Sequence, residues 1–120
     1  MDYAVIEKNN RKYIECASVE TPIRNEQDAL DLIAACFEND TNLVMIHMQA
    51  LTEDFFRLGT GLAGSILQKF TNYHINVAAV ITDSQKMKGK FKEFSAESNK
   101  GNSFRIFDSK NEAENWFLSL

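Results

Sequence analysis

The sequence predicts an α/β domain with a mixed, mainly parallel central sheet and the element order β-β-α-β-α-β-α-β-α. Three observations predict it. Residues 43–48 and 75–82 are mostly apolar at both odd and even positions, the mark of strands covered on both faces. Stretches of helical periodicity separate them from each other and from the next strand-like run, as parallel crossovers require. Near the start, two alternating runs flank Asn9-Asn10, which is the pattern of an antiparallel hairpin.

The hairpin strands are read over residues 3–7 and 12–18. Pro22 and Asn25 then break the pattern, and Asn25 is the expected N-cap of a helix with Glu26 and Asp28 in its first turn. Ala29, Leu30, Ile33, Cys36 and Phe37 form that helix's apolar stripe. Asp40-Thr41-Asn42 closes it ahead of the first buried strand. A polar and aromatic stretch at 52–57 leads to Gly59-Thr60-Gly61 and an amphipathic helix with Leu62, Ala63, Ile66, Leu67, Phe70 and Tyr73 inward. After the second buried strand, Met87, Phe91 and Phe94 have helical spacing, and Asn99-Lys100-Gly101 is a helix stop. A short strand at 103–108 is followed by Ser109-Lys110-Asn111-Glu112, a capping box before Ala113, Trp116, Phe117 and Leu120.

At 120 residues, with neither a repeat nor a linker, the chain is expected to be one domain over 1–120. An apolar fraction of 44% is enough for a packed core, which argues against disorder. A net charge of −4 argues against a nucleic-acid partner, which a basic face would have to hold, and against an anionic membrane surface. Nothing at the start reads as a secretion signal, and two cysteines without CxxC spacing make neither a disulfide framework nor a zinc site. A cytoplasmic location is the expectation, with no cofactor and no metal.

Gly59, Thr60 and Gly61 are the most informative residues. The first N–H groups of the following helix suit an anion or a phosphorylated hydroxyl. Phosphate on Thr60 would bring about −1.5 to −2 charges. The plainer reading makes Thr60 the N-cap, with Gly61 and Gly64 allowing helix and sheet to approach closely. No Gly-Lys-Ser/Thr follows, so this is not a phosphate-binding P-loop. Asp54, Asp83 and Asp108 are read as following strands, at the sheet edge where open α/β proteins hold ligands. Phe55 and Phe56 are candidates to rim a shallow pocket or partner surface beside the glycines. His47 and His74 are read as structural, because no spacing supplies either with a nucleophile or an acid.

The run Asp54-Phe55-Phe56-Arg57-Leu58-Gly59-Thr60-Gly61-Leu62-Ala63-Gly64, continued by Ile66-Leu67-Gln68-Lys69-Phe70 and Asn72-Tyr73, resembles the core signature of an uncharacterised bacterial family, domain of unknown function 4180. Glu97-Ser98-Asn99-Lys100-Gly101 and Asp108-Ser109, followed by Glu112-Ala113 and Trp116, resemble the family's later patterns. The resemblance implies no activity. A more distant likeness is to the STAS domains of sulfate transporters and anti-sigma factor antagonists. These have the same element order and a Ser or Thr before Gly-Leu at the helix start after the third strand, where this chain has Thr60-Gly61-Leu62. In the antagonists a partner kinase phosphorylates that hydroxyl. They usually carry Asp-Ser before the glycine, in place of Leu58-Gly59-Thr60 here.

The expectation is therefore a non-enzymatic, STAS-like regulatory or protein-interaction module, with Thr60 as a possible switch. The alternative is a domain that binds or senses a small apolar or phosphorylated ligand. A hydrolase is the remote third, since no catalytic constellation is visible. The partner is a protein or a small ligand, and the oligomeric state is open.

Overall fold

In a computed structural model, which describes residues 2–120, five strands form one mixed sheet in the order β1-β2-β3-β4-β5. Strands β1 (Ala4–Lys8) and β2 (Arg11–Cys16) make the antiparallel hairpin. Asn9 and Asn10 join them at φ 51° and 66°. Both are left-handed, so the turn is of type I′, whose twist matches the flanking strands and which asparagine tolerates well.

From β2 onward every pairing is parallel, through β3 (Leu43–His47), β4 (Asn76–Val80) and β5 (Phe104–Phe107). Between β2 and β3 runs α1 (Glu26–Glu38); between β3 and β4 come the short α2 (Glu53–Phe56) and then α3 (Leu62–Asn72); α4 (Gly89–Ser98) precedes β5, and α5 (Lys110–Ser119) follows it. The three crossovers step across the sheet in one direction, so a constant right hand places α1, α3 and α4 on the same face.

Strand alternation divides the core in two. On the crossover face, Ile14, Cys16, Val44, Ile46, Val77 and Ala79 meet Leu32, Ile33, Ile66, Phe70 and Phe91 of the helices. On the opposite face α5 lies alone, setting Ala113, Trp116 and Phe117 over Tyr13, Leu43, Met45, Ala78 and Val80. Packing decides the helices. Gly64 costs α3 about 1 kcal/mol in propensity, whereas burying Ile66 and Phe70 contributes about 1.5–3 kcal/mol each.

The caps at Asn25 and Ser109 are formed as the sequence implies: Asn25 Oδ1 accepts from Asp28 N at 3.0 Å, and Ser109 Oγ from Glu112 N at 3.2 Å. Several details differ. Phe37 and Tyr73 are not core residues; they are 63% and 46% exposed and pack edge-to-face on each other at 6.1 Å. The buried stripe of α1 is rotated toward Leu32 and Ala35. A Cβ added at Gly59, Gly61 or Gly64 would meet nothing within 4 Å, so none of the three marks a close helix–sheet approach. Only Gly61, at φ 79°, needs to be glycine for its backbone, and it rather than Thr60 is the N-cap of α3. Asp54 does not follow a strand directly, because it lies in the first turn of α2. Met87 precedes α4, ending the 3₁₀ turn of Ser84–Lys86.

Among the described residues, no helix is long and apolar enough to cross a membrane.

Candidate functional site

The chain between β3 and α3 folds into three short turns at the carboxyl edge of the sheet: a 3₁₀ turn at Met48–Ala50, then α2, then a 3₁₀ turn at Leu58–Thr60. Thr60 closes this segment. Its hydroxyl lies 2.7 Å from the Asp54 carbonyl and 2.9 Å from the Arg57 carbonyl, so its single proton is offered between two acceptors. The same oxygen accepts from Leu62 N at 3.2 Å. One exposed hydroxyl thus ties α2 to the first turn of α3.

The residues singled out in the sequence fall into three places. Gly59, Thr60, Gly61 and Asp54 form the tie just described, with Asp54 taking part through its backbone. Phe55 drops beneath it into the core at 1% exposure, with its ring 6.2 Å from that of Phe91 and 6.5 Å from that of Phe104. Phe56 stays half-buried and shares a groove of about 310 Å³ with Asp83, Lys86, Lys88 and Phe91. Lys86 crosses it to pair with Glu53 and lies 5.2 Å from the centre of the Phe56 ring, joining α2 to the β4–α4 loop. That ion pair holds the Glu53 carboxyl below its ordinary range. Asp83 is a local cap, its Oδ1 accepting from Gln85 N at 2.9 Å.

Asp108 lies apart, in a separate hollow with Ile81, Met87 and Ser95. Its carboxyl beside Glu112 raises the pKa of Glu112.

A fourth group emerges only in three dimensions. On the α5 face, Glu15 of β2 accepts from His47 Nε2 at 2.8 Å and from Lys110 Nζ at 3.0 Å, both on Oε2. Burial disfavours the charged carboxylate, but the hydrogen bonds from Lys110 and His47 outweigh it and hold the pKa of Glu15 below the usual value. Lys110 opens α5, where the positive end of the helix opposes a cation, and Glu15 offsets that. Two residues earlier on the same side of β2, Tyr13 donates to Glu114 Oε2 at 2.6 Å, and Lys8 Nζ meets Glu114 Oε1 at 2.8 Å. Burial is the main cause pushing the Tyr13 phenol upward, reinforced by Glu114. The sequence did carry one signal for this group. Glu15 and His47 share parity with the buried Tyr13 and Met45, so both point to the face that those side chains occupy.

These arrangements differ in what they can do. The Glu15–His47 pair has the geometry of an oriented imidazole, but among the described residues no Ser, Thr or Cys side chain hydrogen-bonds to that ring. Cys16 and Cys36 are buried free thiols, each pushed up to about 12 by burial foremost, which leaves them poor nucleophiles. Among the described residues, no three His, Cys, Asp or Glu side chains are grouped to hold a metal ion. The Thr60 tie, by contrast, offers an exposed hydroxyl whose substitution would be felt along the whole α2–α3 segment.

Residues 8–117 match the protein family described as Domain of unknown function (DUF4180). No curated protein matches the chain. No solved structure matches it.

Proposed function

The chain belongs to that family of unknown function, and within it we propose a non-enzymatic, STAS-like regulatory module that meets a protein partner with its Leu51-to-Gly64 segment and is switched at Thr60. The observation that carries this reading is the hydrogen bonding of Thr60. Its hydroxyl faces two backbone carbonyls and takes the Leu62 N–H while remaining exposed. A phosphate there would remove the donated proton and set about −1.5 to −2 charges against two carbonyl oxygens. The turn from Asp54 to Thr60 would have to open, and the N–H groups of the first turn of α3 would face the phosphate instead. An exposed latch would thereby become a changed surface. The sequential strand order, and the place of Thr60-Gly61-Leu62 at the helix start after β3, support the likeness to STAS domains.

The test compares wild type, Thr60→Ala and Thr60→Glu in the cells that make the protein. Phosphorylation is read by intact mass, and bound proteins are read by quantitative co-purification. The expected result is phosphate on Thr60 in a fraction of the wild type and a partner set that differs between the two substitutions. An unmodified Thr60 together with identical partner sets would sink the switch.

A second reading is favoured by the groove beside the packed rings of Phe56 and Phe91, whose centres lie 5.0 Å apart. That aromatic floor, with Lys86, Lys88 and Asp83 at its rim, fits a small apolar or phosphorylated ligand. Native mass spectrometry of the purified protein checks it: a retained small molecule lost on Phe56→Ala supports ligand sensing, and bare protein speaks against it.

A further inference from the structure

We propose that β1 is the seam of a symmetric homodimer, in which two copies pair antiparallel through this strand about an axis at Val5 and the two sheets become one. Among the described residues, strand β1 lies at the end of the strand order and pairs only with β2, leaving its other edge open. That edge carries no proline, and its register with β2 runs unbroken from Ala4 to Lys8, without the bulge that often protects an edge.

The hydrogen-bonding parity of the strand selects the register. A type I′ turn at Asn9-Asn10 closes on the Lys8–Arg11 pair. Because bonded and non-bonded pairs alternate along an antiparallel ladder, Lys8, Ile6 and Ala4 turn their backbone groups toward β2. Val5 and Glu7 therefore point theirs outward, and Tyr3, which lies just before the strand, would do the same once pairing with a second copy extends β1 by one residue. In a self-pairing centred on Val5, Val5 meets Val5 of the other copy and Tyr3 meets Glu7 twice, so all three outward residues are used and six backbone hydrogen bonds form. Centring one residue further along, on Ile6, uses only Val5 and Glu7 and yields four. Centring on Glu7 sets two carboxylates face to face.

Charge complementarity favours the same register, since it places Asp2 of each copy opposite Lys8 of the other. The Lys8 side chain is 44% exposed even while paired with Glu114, so it can serve both carboxylates. The seam also covers apolar surface. Tyr3 and Val5 are 39% and 43% exposed, and their shared parity puts them on the crossover face. Across the axis they form one strip with their counterparts. On the other face Ile6 of one copy comes beside Ala4 of the other, extending the cluster beneath α5. A strand this short buries less than a standard interface, so the dimer is expected to be reversible and concentration-dependent.

Sedimentation velocity over a broad concentration range is the test, with wild type, Val5→Pro and Asp2→Lys. Val5→Pro deletes an outward N–H at the axis and leaves the ladder to β2 intact, as edge strands allow. Asp2→Lys sets lysine against Lys8 without touching the core. The expected result is a wild-type monomer–dimer equilibrium that each substitution weakens at least ten-fold, the second less so at high salt. Circular dichroism checks folding, and if Val5→Pro unfolds the chain, Asp2→Lys alone decides. A wild type that stays monomeric up to about 1 mM, a concentration at which even a weak pairing of a few kcal/mol would register, overturns the proposal. So does a dimer that the folded variants leave unchanged, or an edge that pairs only with a strand from a different protein.

Discussion

The Glu15 carboxylate accepts a 2.8 Å hydrogen bond from the His47 imidazole across the β2–β3 pair, on the face of the sheet covered by α5. Lys110 meets the same oxygen from the first turn of α5, so a single atom ties two strands to the helix that covers that face. With Glu114 gripping Tyr13 and Lys8, and Arg11 donating to the Phe117 carbonyl, α5 is fastened by polar contacts along its whole length. The measurable properties of the fold follow in part from these ties.

Stability should fall in acid. Glu15 and Glu114 both have folded-state pKa values below their ordinary 4.5. Their contribution is therefore complete above pH 4.5 and is lost as the pH falls through the lowered folded values. Urea unfolding between pH 7 and pH 3 should show this slope, and Glu15→Gln with Glu114→Gln should flatten it. At pH 7, Glu15→Gln alone is expected to cost about 1–3 kcal/mol, because it weakens two hydrogen bonds to charged or polarisable donors. At the other extreme, the pKa of Tyr13 is raised above its ordinary 10.0, so its contribution holds below pH 10 and fades as the pH rises beyond it.

Removing the Thr60 hydroxyl should loosen its own segment before the whole. Thr60→Val is expected to cost about 1 kcal/mol, the scale of one exposed capping interaction. Hydrogen exchange at Leu62 N and across residues 54–62 should accelerate well beyond that of β3 and β4. Thr60→Ser, which keeps the oxygen, should restore most of the protection. Uniform acceleration across the sheet would contradict a local latch.

Two glycines three residues apart should respond with opposite signs. Gly61 sits at φ 79°, so Gly61→Ala forces a side chain into the left-handed region and should cost about 1 kcal/mol. Gly64 lies inside α3, exposed, with open space where a Cβ would go, and Gly64→Ala should add about 0.5–1 kcal/mol through helix propensity. Thermal melts of the two variants side by side decide the matter.

The thiols should be silent in the native state. With Cys16 and Cys36 buried and each pushed up to about 12, a thiol reagent at pH 8 should titrate none in folded protein and both after denaturation. Rapid labelling of either one without denaturant would show that α1 opens from the sheet.

The sequence disclosed what rests on neighbours in the chain. The Asn9-Asn10 turn, the caps at Asn25 and Ser109 and the doubly buried β3 and β4 are each written in a few adjacent residues, and all appear in the structure. Helix faces were less legible. Phe37 and Tyr73 have the right spacing for the core, yet both lie at the ends of their helices and pack on each other, largely exposed. Gly61 and Gly64 looked like packing devices because glycine near a helix start often is one; the open space around them appears only once the sheet is in place. The sequence pointed to Thr60 as the N-cap, a place that Gly61 takes, and the carbonyl partners of the Thr60 hydroxyl depend on α2, which is too short to leave a periodic signature. The Glu15–His47–Lys110 group joins three elements that only strand order and the direction of α5 bring together.

The lopsided layering also bears on the order in which the molecule is made. Everything needed for the crossover face, including α1, α3 and α4, emerges from the ribosome before α5, so that half of the core can consolidate early. Met45, Ala78 and Val80 on the reverse must wait for Trp116 and Phe117. Until α5 arrives, a nascent chain holds a formed sheet with one oily side bare. A chain truncated before α5 should therefore be the most aggregation-prone form of the protein.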